Sequence, residues 1–447
     1  MKKQIQLSDH FSFGRLIRFT LPTMGMMIWT SVYCVVDGLF VSNFAGKAPF
    51  VALNLIFPFL MILATIGFMF GTGGSALVAK TLGEGNTEKA NQYFSLFVYF
   101  SAGLGILFSI LGIIFLRPIA QILGAEGEIL KFSVIYGRIY LLTLPFNVLQ
   151  LLFQSFFITA ERPKLGLIVT VSSGLTNIVL DAVLVILLPT EWKLAGAAIA
   201  TAMSQVVGGL VPLFYFGRKN TSILRLSKTK FDVHGILKAA TNGSSEFMSN
   251  VTMNLVGVLY NIQLLKYAGE DGVAAYGVMM YVSFIFSSAF IGYSIGVSPV
   301  VGYHDGAGNR KELQGLLKKS IILIGVLGTA MTLISFLLAS PLAQIFVDYD
   351  PELKALTVSG IRIFALSFLL MGNAIFASGF FTALNDGVTS AIISFLRTLV
   401  FQVAAVILLP IIWGVDGIWF SVVVAEFMAV LLSVIFLWLK RKKYGYL

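Results

Sequence analysis

The chain has 447 residues, 57% of them hydrophobic and only 12% charged, with a mean hydropathy of +0.89. Soluble domains carry about 25% charge, so this composition excludes an ordinary water-soluble enzyme and indicates a polytopic membrane protein. The net charge of +10 does not point to nucleic acid, because the basic residues alternate along the chain with the apolar runs, as they do in membrane proteins. Apolar runs of about 20 residues predict twelve membrane helices, at roughly 15–42, 50–79, 92–116, 131–157, 164–188, 194–216, 235–264, 273–302, 316–338, 355–381, 388–410 and 416–439.

The N-terminal stretch MKKQIQLSDHFSFGR is not a cleavable signal peptide, since the apolar run behind it is too long and has no small-residue cleavage site. In the first predicted helix, Thr23, Met27, Thr30, Cys34 and Asp37 fall on one stripe at helical spacing. A carboxylate in hydrocarbon costs roughly 2.5–3.5 kcal/mol even on a lenient scale, so Asp37 requires partners from other helices. Cys34 is the only cysteine, which excludes an internal disulfide. Pro22 removes a backbone hydrogen bond and predicts a kink in this helix. In the second helix, Gly71-Thr-Gly-Gly74 reads as a close-packing surface rather than a phosphate loop.

Further along, Asn147, Gln150 and Gln154 make a polar stripe on the fourth helix that is expected to face a central cavity. Thr170, Ser173, Asn177 and Asp181 make another on the fifth. Counted at 1.5 Å per residue from the first charges beyond each helix (Lys47, Glu191 and Lys193), Asp37, Asp181 and Thr201 share one level in the half of the membrane away from the termini. Two carboxylates at one level in a low dielectric do not both ionise freely, so one is expected to hold a proton or share a cation. In the second half of the chain, Glu246 and Asn250 share a stripe on the seventh helix. Arg397 and Glu426 lie at similar depth and read as a structural ion pair. His10, His234 and His304 lack metal-ligand spacing and read as surface residues.

Most Lys and Arg residues sit at the N-terminus, in alternate loops and in the C-terminal run Lys440-Arg-Lys-Lys443, which predicts that both termini are cytoplasmic. The longest connector is polar and basic and lies between the sixth and seventh helices. It divides the chain into an N-terminal six-helix bundle (1–216), a linker (217–231) and a C-terminal six-helix bundle (232–447). The two halves repeat. Ser75, Val78, Gly83, Gly85 and Asn86 recur 223 positions later as Ser298, Val301, Gly306, Gly308 and Asn309. Phe153, Ser155, Phe157, Thr159 and Ala160 recur in the same register as Phe376, Ser378, Phe380, Thr382 and Ala383. Six helices per half place the halves in the same orientation about an axis along the membrane normal, a geometry used by alternating-access transporters.

Pro22 with Asp37 in VVDGLFV, the two GxGN turns, Thr159-Ala-Glu-Arg-Pro163, Asn177-Ile-Val-Leu-Asp181 and Gly196-Ala-Ala-Ile-Ala-Thr201 together resemble the multidrug and toxic compound extrusion (MATE) transporters, nearest to the MepA-like bacterial branch. The resemblance covers about residues 15–440. It implies an all-α integral membrane fold of two pseudo-symmetric bundles in a bacterial cell membrane. The implied function is secondary active export of lipophilic, often cationic compounds in exchange for H⁺ or Na⁺, with no cofactor and no enzymatic activity. It also implies a coupling site at Asp37, Asn177, Asp181 and Thr201, with Na⁺ an alternative occupant of Asp37, Asn177 and Asp181. Pro22 then marks where the first helix bends. Glu246 resembles an acid used for coupling in some members, but the tenth helix has no carboxylate to complete that second site. No Walker loop is present, so ATP is not the expected energy source. Two alternatives stay open at this level: a lipid-linked precursor flippase of the same superfamily, and a passive channel. Nothing in the sequence demands more than a monomer.

Overall fold

A computed structural model describes residues 5–348 and 350–446. Among them the secondary structure is helical throughout: α1 (Phe13–Phe40), α2 (Lys47–Gly83), α3 (Thr87–Ile122), α4 (Gly127–Leu142), α5 (Leu144–Thr159), α6 (Pro163–Leu187), α7 (Lys193–Gly217), α8 (Val233–Gly306), α9 (Arg310–Val347), α10 (Pro351–Ala365), α11 (Phe368–Ala383), α12 (Gly387–Phe395) and α13 (Gln402–Tyr444). These make twelve membrane spans. Helices α4 and α5 form one span bent by 57°, and α10 and α11 one bent by 45°. Helices α8 and α13 each contain two spans, divided at Gly269 and Gly414, whose φ values of 62° and 56° are accessible to glycine at no steric cost. A π-helical turn, Leu396–Phe401, joins α12 to the first span of α13.

The first helix runs through Pro22 without a break in its helical run, and its regular winding loosens only beyond Phe40, in a π-helical turn at Val41–Ala45. The expected kink is therefore not an interruption here. Around the proline, the Thr20 hydroxyl donates to the Leu16 carbonyl at 2.9 Å. On the far side, Gly292 and Gly296 of α8 bring their backbone against Met24 and Thr20. The segment around Pro22 is thus packed closely against α8.

Both chain ends lie at one end of the bundles, called basal below. The N-terminal segment touches Glu161 and Glu312, and Gln314 donates to the Gly445 carbonyl. At the basal end the two bundles meet through α1, α2 and both spans of α8. A methyl group on Gly73 would overlap the Ala239 carbonyl, and one on Gly243 the Met69 carbonyl. Glycine thus permits backbone-to-backbone contact across the seam, as expected for the Gly71–Gly74 stretch.

The GxGN turns divide their labour. Gly85 and Gly308 take φ of +82° and +66°, and Asn86 and Asn309 cap α3 and α9 by accepting from the amides of Lys89 and Glu312. The first glycines do something else. Gly83 lies against Tyr303 and Gly306 against Lys80, so each bundle presents its glycine to the other's backbone. Lys80 also pairs with Asp305 across the seam at 3.0 Å.

The seam closes from the basal end up to Ser31 on α1, which hydrogen-bonds Ser288 on α8. Among the described residues every hydrogen bond that joins the bundles lies at or below that level. Farther out, Gly38, Gly257 and Gly277 have no neighbour where a Cβ would stand.

Candidate functional site

The distal half of α1 carries Asp37 six residues beyond Ser31, about 9 Å above the closed seam at 1.5 Å per residue. The predicted partners converge on it. The Asp37 carboxyl group lies beside Asp181 and Asn177 of α6 and Thr201 of α7. Asp181 is 0% exposed and Asn177 is buried, while Asp37 and Thr201 are partly accessible. The whole stripe Thr170, Ser173, Asn177 and Asp181 points into the N-terminal bundle. Helical spacing predicts such a face, because residues three and four apart stack on one side.

A fifth side chain joins the cluster. Tyr136 of α4, fully buried, places its hydroxyl beside Thr201 and within electrostatic reach of both acids. A lone tyrosine in an apolar run carries no depth signal, although its place one turn before Tyr140 on the same face was a usable clue. The cluster is unsatisfied: Asp37 Oδ1, both carboxyl oxygens of Asp181, Asn177 Oδ1, Thr201 Oγ1 and the Tyr136 hydroxyl make no hydrogen bond among the described residues. Buried polar atoms are nearly always paired, and these have mainly one another as polar neighbours: Asn177 and Thr201 lie beside the two acids, and Tyr136 beside Thr201. All are oxygens, with two ionisable acids and no Lys or Arg ion pair among the described residues. The set suits a proton or a hard cation.

Beneath this cluster, Gln150 donates to Ser173 at 3.2 Å, and Ser173 donates to the Ser204 carbonyl at 2.8 Å. Gln150 also lies against Gly208 of α7. Gln150 and Gln154 are thus buried inside the N-terminal bundle, with the Gln154 amide nitrogen unpaired. Asn147 donates to the Tyr140 hydroxyl at 2.6 Å.

In the C-terminal bundle Arg397 and Glu426 form the ion pair read from their depth, with three hydrogen bonds of 2.7–3.0 Å and Glu426 0% exposed. The π-helical turn presents Arg397. Glu246, half-buried on α8, feels the Arg397 charge, and Asn250 donates to the Glu246 carbonyl at 2.8 Å.

One reading is corrected. His304 is 2% exposed, not a surface residue. The N-terminal segment folds over it, and the Phe11 ring meets it edge-on. His10 remains outside and contacts Glu312 at 2.6 Å.

Twelve spans in two repeated bundles, sealed at one end and carrying a buried acidic cluster about 9 Å above the seal, define a membrane transporter. The MatE family signature matches twice, at residues 22–183 and 247–408, one copy per bundle. The chain belongs to the MatE family. Among proteins of known function it is 26% identical over 435 residues to the multidrug export protein MepA of Staphylococcus haemolyticus, covering 96% of this chain and 94% of that one. It is 24% identical to the MepA of Staphylococcus aureus over the same shares. A solved outward-facing conformation of a multidrug resistance MATE transporter superposes with a TM-score of 0.93 at 22% identity, over 100% of both chains.

Proposed function

We propose that the protein is a secondary active multidrug exporter, moving lipophilic and often cationic compounds out of a bacterial cell in exchange for H⁺ or Na⁺. The observation that carries this reading is the pair Asp37 and Asp181, two acids in one buried cluster with no cationic partner. Such a pair has to recruit positive charge, and a proton or Na⁺ meets that need with Asn177, Thr201 and Tyr136 as neutral oxygen donors. Exchange requires only that the ion and the drug favour different states of the protein. Moving a two-state equilibrium from 1:99 to 99:1 takes about 5.5 kcal/mol of differential affinity, within reach of filling an unsatisfied acidic cluster.

In this reading the basal end faces the cytoplasm, both termini lie inside, and the seam from Ser31 downward is the closed inner gate. Residues 1–216 and 232–447 are the two moving bodies, joined by the 217–231 linker, and a monomer suffices. Pro22 gives α1 a place to yield when the cluster fills. Gln150 and Gln154 supply polar contacts within the N-terminal bundle, and Glu246 and Asn250 line the facing side of the C-terminal bundle. A lipid-linked precursor flippase calls for cavity-facing cations, and the one deep arginine, Arg397, is already neutralised by Glu426.

The test is dye efflux from cells or vesicles, with pH and Na⁺ gradients imposed separately, wild type beside Asp37→Asn. Ethidium should leave against its gradient in the wild type, and the variant should fold and express normally but fall to background. Gradient-driven efflux at the wild-type rate from a well-expressed Asp37→Asn protein would overturn the assignment.

A further inference from the structure

At the basal end of the N-terminal bundle, α1 and α6 touch at Gly25 and Leu167 and at Met26 and Gly166, and leave a hollow below and outside that contact. A pocket of about 470 Å³ opens between them, lined by Arg18, Arg162, Lys164, Glu161, Tyr215 and Thr221 among others. A second cavity of about 620 Å³ continues from it, sharing Arg18, Lys164 and Ile168, and runs up the helices past Leu21, Pro22 and Gly25 to Ile28. Leu21 is 58% exposed and Ile168 61%, so this groove opens sideways towards the bilayer and is not part of the seam between the bundles. We propose that the pocket and groove together bind one anionic phospholipid, its phosphate between Arg18, Arg162 and Lys164 and an acyl chain along the groove.

Charge and shape agree on this occupant. Arg18 and Lys164 form no ion pair among the described residues. Arg162 spends Nη2 on the Thr221 carbonyl and hydroxyl, at 2.6 and 2.7 Å, while its buried Nε has no partner. The one acid in the wall, Glu161, already accepts the Leu7 amide at 2.7 Å. Its neighbour Arg162 offsets part of its charge. From Arg18 to Ile28 the groove rises ten residues, about 15 Å, and half of a hydrocarbon core about 30 Å thick is the depth of one leaflet. Basic pockets between membrane helices at the headgroup level suit anionic lipids.

The fold does not impose this opening, since the C-terminal bundle closes the equivalent place. There Asp386 and Gly387 are the cap and first residue of α12, as Arg162 and Pro163 are of α6, one position on from the 223-residue register of the sequence repeat. Gly387 lets α12 sit directly on α8, where any Cβ would overlap the Thr241 carbonyl and the Asn242 backbone. Pro163 instead lines the pocket beside Arg18 and Phe19, and α6 meets α1 only from Gly166 onward, against Met26. A proline and three cations in one half replace a glycine and an aspartate in the other.

The proposal is independent of the coupling ion and the direction of transport. It is tested on the full-length protein in neutral detergent, by native mass spectrometry and by thermal shift with phosphatidylglycerol or phosphatidylcholine. One phosphatidylglycerol per chain should be retained, and phosphatidylcholine should not. At about 1 kcal/mol per basic residue, Arg18→Gln with Lys164→Gln should weaken retention by about 30-fold while leaving the melting temperature in phosphatidylcholine unchanged. Ile168→Trp, which fills the groove and keeps every cation, should weaken it as well. Equal retention of both lipids, retention unchanged in both variants, or full displacement by millimolar inorganic phosphate would each overturn the lipid assignment.

Discussion

In the N-terminal bundle Asp37 and Asp181 stand together without a cation, whereas in the C-terminal bundle Glu426 is gripped by Arg397 through three hydrogen bonds. Each half buries acid, but only one half balances it internally. A balanced pair is fixed charge: it costs desolvation and returns most of that cost by pairing. An unbalanced pair is variable charge, whose state depends on what the surroundings supply. Two bundles of common architecture thus differ in their buried charge: the second pairs its acid with an arginine, and the first does not.

The comparison makes predictions of decreasing size. Asp181→Asn should reduce gradient-driven dye efflux to background while the protein still folds, because it removes variable charge and no structural partner. Efflux at the wild-type rate would erase the distinction between the bundles. Arg397→Met should act in the opposite sense, on stability first. Removing one partner of a buried ion pair costs about 3–5 kcal/mol, so the melting temperature should fall sharply, and Arg397→Met with Glu426→Met should regain most of the loss. If the single variant melts like the wild type, the pair is not structural.

The smallest effect concerns the basal turns, where Arg162 and Asp386 take equivalent places. Burial opposes ionisation of Asp386, but hydrogen bonds from Tyr444 and Thr389 and the Lys440 charge outweigh it and hold its carboxyl group below the ordinary 3.8. A depressed folded value contributes stability that is present above the unfolded value and lost as pH falls through the folded one. Docking of the C-terminal tail should therefore be unchanged from neutral pH down to about 4 and loosen only in stronger acid. Protease access to the Lys440–Lys443 run reads this directly, and loosening near pH 6 would exclude Asp386 as the anchor.

Much of this was legible because membranes impose long apolar runs and make each buried charge conspicuous. Asp37, Asp181 and Thr201 could be brought to one level by counting residues from the first charge outside each helix, with Asn177 on the same helix stripe as Asp181, and the four lie beside one another. The repeat was legible through its paired GxGN turns. Less could be read where the signal depends on packing across the seam. The sequence does not reveal that Gly83 and Gly306 serve contact between bundles while Gly85 and Gly308 serve the turn. Tyr136 carries no charge to mark its depth, and only its spacing from Tyr140 hints at a shared buried face. His304 stands near a charged turn, and only the folded N-terminal segment buries it. The kink expected at Pro22 depends on what α8 presses against, a tertiary matter.

That N-terminal segment is also a rope of fixed length. The Leu7 amide is tied to Glu161 in one bundle and the Phe11 amide to Glu312 in the other, at 2.7 and 2.9 Å. Four residues separate the knots, and a fully extended chain reaches at most about 14 Å over that distance. While both knots hold, the basal mouth can gape no wider than the rope allows. A wider opening must slip one of them, and a hydrogen bond to a charged group is worth about 1.5–3 kcal/mol. The strap's length bounds any separation of Glu161 from Glu312 at that end, and its two bonds oppose it.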